Sequence, residues 1–170
     1  MAGTTFAQDI LKASETLPLR TAGGLVRIPP VLIPGIVAAD ALDANDAMGI
    51  AFAVPVPPAG AIVGAFFHDL DDEGSNKTLH LYHGMPSSIA SDAAYAPTDA
   101  DNLIYAGRIR FDGFSDLTNN QVGVANSADL PLWYFAPDGM LWMQVQTAGT
   151  DNIAAGSMPR LSFLIHQYAA

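Results

Sequence analysis

In a chain of 170 residues, half of them apolar and only 14% charged, one domain with a full core is expected and disorder is not. The formal net charge of −10 argues against nucleic acid and anionic membrane as partners, because both are polyanions that need a basic footprint. The absence of cysteine excludes disulfides, thiolate metal sites and thiol nucleophiles.

So few charges leave Ala, Gly, Ser, Thr and Asn to cover the surface. Such a surface suits contact with other protein, which points to a subunit of an assembly. The opening residues, MAGTTFAQDI, have no basic segment followed by an apolar run, so no signal peptide is read there. No apolar stretch reaches the ~18 residues needed to cross a bilayer, and a soluble, non-exported chain is expected. Asn76-Lys77-Thr78 fits the glycosylation sequon, which means little without a secretory signal. Thr5 and Gln8 resemble a capping box, and Phe6, Ile10 and Leu11 share a face, so residues 4–14 read as a short helix or extended arm. Residues 1–30 carry Lys12, Arg20 and Arg27 against Asp9 and Glu15, whereas the rest holds four basic and fifteen acidic side chains. The division expected is an N-terminal arm over 1–23 and a single β-sandwich domain over 24–170.

Period-two alternation then dominates. In AMGIAFAVPV, Met48, Ile50, Phe52, Val54 and Val56 fall on one face. Ala47, Gly49, Ala51, Ala53 and Pro55 fall on the other, where a half-exposed strand would carry polar residues. That small apolar face asks for a cover, either the arm or a second subunit. GAIVGAFFHDL places Ile62, Phe66, His68 and Leu70 opposite Val63, Ala65 and Phe67. KTLHLYH sets Leu79, Leu81 and His83 against His80 and Tyr82. LIYAGRIRF turns Leu103, Tyr105, Ile109 and Phe111 inward and Arg108 and Arg110 outward. MLWMQVQT and RLSFLIHQY bury Leu141, Met143 and Val145, and Leu161, Phe163 and Ile165. GLVRI, QVGVA and LWYFA are weaker strands. Gly60, Gly74, Gly113 and Gly139 read as turn glycines with positive φ. Pro29, Pro30 and Pro34 cannot donate to a central ladder, which puts RIPPVLIPG at a sheet edge or subunit boundary. Eight or nine strands make an all-β, antiparallel sandwich, jelly-roll-like, with the short N-terminal arm or helix. Two Ala/Asp-rich connectors, residues 38–47 and 91–102, resemble each other and each leads into a strong strand.

The stretch FFHDLDDEGSNKTLHLYH gathers three of the four histidines around four acids. Asp69, Asp71, Glu73 and Gly74 match the start of a helix–loop–helix calcium loop, but its twelfth position is His80, not Glu, and the flanks are strands. These acids are therefore weak calcium candidates, and DLDDEGSNKT reads more simply as a hairpin loop joining two strands. His80 and His83 have helical ligand spacing on a strand, where residues three apart point to opposite faces. Glu15 and Glu73, the chain's only glutamates, give no downstream Glu for a cupin-type metal site. Ser115 lacks the second glycine of a nucleophile elbow, Ser157 lacks its strand–turn–helix setting, and no carboxylate pair stands out for glycoside hydrolysis. Neither a cofactor nor an enzymatic activity is expected. Trp133, Tyr134 and Trp142 could form a sugar-stacking platform, although aromatics on strands more often serve cores or interfaces.

The wording of DALDANDAMGIAFAVPVPPAGAI, FHDLDDEGSNKTLHLYH, SDAAYAPTDADN before LIYAGRIRF, and IAAGSMPRLSFLIH resembles small virion structural proteins of tailed bacteriophages. The nearest resemblance is to capsid decoration, or cement, proteins with a jelly-roll-like sandwich. It spans residues 24 to 168 and rests on pattern rather than on a diagnostic motif. It implies a non-enzymatic homotrimer that binds the major capsid protein on the outer capsid surface of the virion and is made in the host cytoplasm. Within it, Lys12, Arg20 and Arg27 are candidates for reaching the shell or a neighbour. Ala47, Gly49, Ala51, Ala53, Pro29 and Pro30 are candidates for the subunit interface. The alternative is a receptor- or glycan-binding sandwich of a phage tail or fibre.

Overall fold

A computed structural model describes residues 19–20, 24–37 and 41–168. The expected helix at 4–14 and Lys12 lie outside the described residues. The chain is an all-β sandwich of two antiparallel sheets. Its strands are β1 (Leu19–Arg20), β2 (Leu25–Leu32), β3 (Ala47–Pro55), β4 (Ala59–Asp69), β5 (Lys77–Tyr82), β6 (Tyr105–Phe111), β7 (Phe114–Asp116), β8 (Gln121–Val124), β9 (Leu132–Phe135), β10 (Met140–Thr147) and β11 (Arg160–Gln167). One short helix, α1 (Asp99–Leu103), precedes β6. The large sheet runs β1-β2-β11-β4-β8-β7, with β9 also paired to β4, and the small sheet runs β3-β10-β5-β6. A jelly roll distributes eight strands over two sheets; here seven and four are divided between them.

One hydrophobic cluster lies between the sheets. Val26, Ile28, Ile62, Phe67, Leu161, Phe163 and Ile165 come from the large sheet, and Phe52, Val54, Leu79, Leu81, Ile109, Phe111, Leu141, Met143 and Val145 from the small one. These are the β-branched, Leu and aromatic residues of the alternating runs, so burying one face of each strand closes the core. Pro29 and Pro30 sit where β2 is an edge: β1 reaches only Val26 and Arg27, and the β2–β11 register slips between Ile28 and Val31. The ladder loses nothing to the missing N–H groups there.

Three bulges change faces that strict alternation assigns. In β4 the register slips between Ile62 and Gly64, so Val63 is an extra residue exposed to solvent. Ile62 points inward before the slip; Ala65, Phe67 and Asp69 do so after it, which turns Phe66 and His68 outward, opposite to the expected phase. In β3 the slip between Met48 and Phe52 throws Ile50 out of the core. Gly49 permits it with φ +75°, and a Cβ there would strike the Pro34 carbonyl oxygen. In β6 the slip around Ala106 and Gly107 leaves Tyr105 facing out, while Leu103 belongs to α1 and is fully in solvent. Gly74 and Gly139 have the positive φ expected of them. Gly60 and Gly113 do not; Gly60 lies within β4, where a Cβ would come 2.7 Å from the His166 carbonyl oxygen.

The acidic stretch after β4 is not a hairpin. β4 belongs to the large sheet and β5 to the small one, so residues 70–76 cross from one layer to the other. The two Ala/Asp-rich connectors lie against each other through an Asp46–Ala94 bridge and a Tyr95 N–H to Asn45 carbonyl hydrogen bond.

Candidate functional site

Asp69 and Asp71 accept from backbone N–H groups, and Asp72 accepts from the Gln121 side-chain amide. Asp69 is buried, and its carboxylate accepts from the N–H groups of Asp71, Glu73 and Gly74, each at 3.0 Å. Asp71 accepts from Ala154 N–H at 2.5 Å. Burial raises the Glu73 carboxyl above its ordinary value, opposed by a hydrogen bond from the Asn152 backbone. Among the described residues no three His, Asp or Glu side chains converge as a metal would need. The carboxylates of Asp69, Asp71 and Glu73 shape a turn.

Beneath that turn lies a feature that alternation could not reveal. Lys77 and Asp151 are fully buried and paired at 3.1 Å. The ammonium also donates to the Ser75 carbonyl at 2.6 Å and to Ser75 Oγ at 2.5 Å, and it lies 5.6 and 5.5 Å from the Phe67 and Phe114 ring centroids. Ser75 and Thr147 hydroxyls donate to the two Asp151 oxygens. Every strong donor and acceptor is satisfied, as a buried ion pair requires. Burial still outweighs the attraction of Asp151, so the Lys77 amine sits below its ordinary value. The pair ties the crossover to the end of β10.

The small sheet's outer face carries Ala47, Gly49, Ala51 and Ala53, and the chain covers it with its own segment. Gly49 and Ala51 N–H groups donate to Ser91 and Ser88 hydroxyls at 3.2 Å. Ala47 exchanges backbone hydrogen bonds with Ala93 and Asp92, and Gln144 donates to the Ile89 carbonyl at 2.7 Å. His80 stacks on Tyr95 with centroids 4.2 Å apart and bonds the Tyr105 hydroxyl and Gln146 Oε1; burial lowers its imidazole. Asp101 fastens the segment to α1 by accepting from Ser87 N–H at 2.7 Å and from Thr98. The Ser87 bond chiefly holds its carboxyl low. Ala47 and Gly49 are buried inside the protomer: residues 91–93 bond their backbone, and a Cβ at Gly49 would meet Pro34, Ile33 and Ile36, so the chain's own segments rather than a second subunit pack there. Ala51 and Ala53 remain half-buried, and Pro29 and Pro30 are exposed.

The large sheet's outer face has no such cover among the described residues. Its cross-strand rows follow from the registers: Trp133, Ala61 and His166; Gly64, Leu164 and Arg27; Val124, Phe66 and Ser162; Val122, His68, Arg160 and Leu32. Val63, Val124, Leu32, Trp133 and Phe135 are exposed apolar residues on its strands. At one end Trp133, 61% exposed, stacks on Tyr168 with centroids 5.1 Å apart, and His166 meets Tyr168 edge-on. At the other end Arg27, Phe66, His68, Ser162, Phe163 and Leu164 line a depression of about 290 Å³. His68 Nε2 bonds Ser162 Oγ at 2.8 Å. Burial, then the charges of Arg27 and Arg160, lower its imidazole below the ordinary histidine value. Neutral at pH 7, His68 can exchange a proton with Ser162, but no carboxylate among the described residues orients it, which a Ser–His nucleophile requires. The depression offers cations and hydroxyl, the chemistry of an anion seat.

Of the cations expected to reach a neighbour, Arg20 pairs by backbone with Val26 in β1, and Arg27 stands on β2 facing this depression rather than on an arm. Of the expected platform, Trp133 is exposed, Trp142 half-buried, and Tyr134 buried with a hydroxyl that has no partner among the described residues. Arg160, His68 and Ser162 were missed as a group because the bulge at Val63 reverses the phase that places His68. The chain matches no protein-family model, no curated protein and no solved structure.

Proposed function

We propose that this chain is a non-enzymatic structural protein of a tailed-bacteriophage virion, a decoration or cement protein. In this reading it binds the major capsid protein on the outside of the head and assembles as a homotrimer. The observation that supports it is the contrast between the two outer faces. Residues 88–95 pack along β3 and over His80 on the small sheet, while the large sheet exposes Leu32, Val63, Val124, Trp133 and Phe135, with Arg27 and Arg160 on the same face. Apolar area on rigid strands, rimmed by a few charges, is the make-up of a protein-docking surface. Repeated copies of a weak contact of this kind hold firmly to a shell through multivalency. Purified protein added to heads that lack it should co-sediment with them and raise the temperature at which they rupture. Heads that take up none at saturating protein would refute the reading.

The exposed Trp133–Tyr168 stack favours a second reading, a receptor- or glycan-binding sandwich of a tail or fibre, because an indole face left open to solvent can stack a sugar. A glycan array separates the two: binding lost in Trp133→Ala would support the second reading, and a blank array would leave docking to protein.

A further inference from the structure

The large sheet's outer face is charged in the opposite sense to the chain that carries it. The protein has a net charge of −10, yet the rows across β2, β11, β4 and β8 hold Arg27, Arg160, His68 and His166 and no carboxylate. Among the described residues the ion pairs are Lys77–Asp151 and Arg110–Asp129, and neither Arg27 nor Arg160 has a carboxylate partner among them. Arg27 and Arg160 flank His68 as two like charges with no carboxylate on their rows, and an anion placed between them would pair with both. The depression is apolar on its walls and lined by Phe66, Phe163 and Leu164, which lowers the local dielectric and strengthens any pairing made there.

The same chain supplies the anions. Asp43, Asp72, Asp99, Asp112 and Asp138 are exposed on loops and on the first turn of α1, none in an ion pair among the described residues. None of them lies on the rows that carry the arginines. A two-fold interface would set this face against itself and bring Arg27 and Arg160 toward their own copies. A head-to-tail interface sets it against a different, acidic surface of the neighbour, and such interfaces close into rings. Building on the proposed decoration role, we infer that the depression lined by Arg27, His68 and Ser162, with Arg160 opposite His68 in the neighbouring strand, is the seat for an acidic loop of a second copy of this chain, packed head to tail, with Val124 and Val63 supplying apolar contact beside it.

The test uses the full chain in size exclusion with light scattering, from low to high salt and over a hundredfold range of concentration. The wild type should run as a closed multiple of 17.8 kDa and shift toward monomer as salt screens the seat, since charges more than about 8 Å apart are largely screened at physiological ionic strength. Arg27→Glu/Arg160→Glu should be monomeric at every concentration with unchanged far-UV circular dichroism and melting temperature. Arg27→Lys/Arg160→Lys should retain assembly, because a positive charge and not a fork is what the seat requires. A wild type that stays monomeric throughout, or a charge-reversed variant that assembles as the wild type does, overturns the inference. Head co-sedimentation keeps the two readings apart. A monomer that binds heads refutes the second-copy seat and leaves the decoration role. An assembly that fails to bind heads and disperses on charge reversal does the opposite.

Discussion

Removing the Asp151 carboxylate is the sharpest test of how the sandwich is held at its crossover end. In Asp151→Ala, Lys77 keeps its ammonium in a site about 1% exposed, between two phenyl rings, with only Ser75 left to receive it. Leaving one partner of a buried pair uncompensated costs about 3–5 kcal/mol. For a domain of this size that corresponds to a melting temperature lower by roughly 6–20 °C. Urea unfolding should show the midpoint fall without a change in m, since the surface exposed on unfolding is nearly the same. Lys77→Met/Asp151→Leu, which removes both charges, should recover most of the loss. The pH dependence has a definite sign. Burial holds the Lys77 amine below its unfolded value, so the folded state binds fewer protons. Stability therefore rises with pH up to the ordinary lysine value and falls as pH drops through the window beneath it. Asp151→Ala removes the attraction that opposes this shift, so its urea midpoint should climb more steeply toward alkaline pH than the wild type's. A loss under about 1 kcal/mol, or a double variant no more stable than the single one, would refute the reasoning.

Other substitutions probe the remaining assignments. Tyr134→Phe should stabilise by about 1 kcal/mol, because it removes a buried hydroxyl without a partner among the described residues; a lower urea midpoint would show that the hydroxyl is satisfied in solution. Gly49→Ala should cost more than the ~1–2 kcal/mol of a left-handed backbone, since the Cβ also meets the Pro34 carbonyl, and calorimetry reads the loss directly. Asp69→Ala should cost upward of ~2 kcal/mol by freeing three N–H groups of the crossover. EDTA should leave the wild-type melting temperature where it is, and a drop on chelation would restore the calcium reading.

Strand positions were legible because each run alternates cleanly over the stretch that packs. Leu79 and Leu81, Leu141, Met143 and Val145, and Leu161, Phe163 and Ile165 are all buried as their period requires. The edge character of Pro29 and Pro30 was legible too, since it follows from a missing donor and needs no tertiary knowledge. What failed was phase across bulges. An extra residue such as Val63 reverses every side chain beyond it, and nothing in GAIVGAFFHDL marks where the slip falls, because Gly64 and Ala65 fit either face. The crossover was misread for a related reason. Acids and glycine between two strands signal a turn, but not whether the chain returns to its own sheet or changes layer.

The site suffered from the same blindness in a more consequential way. Ala47, Gly49, Ala51 and Ala53 did announce an unusual face, and the inference that something packs there was sound as physics. Composition cannot tell whether the cover comes from another subunit or from forty residues downstream, and Ser88, Ser91 and Tyr95 carry no mark of the strand they will lie on. With that segment spent on the small sheet, the proposed contact falls to the opposite layer. There Arg27 and Arg160, more than 130 positions apart in sequence, come beside His68 only because β11 inserts between β2 and β4. Charge opposite in sign to the rest of the molecule, gathered by topology on a sheet face left open among the described residues, is the feature on which the proposed docking rests.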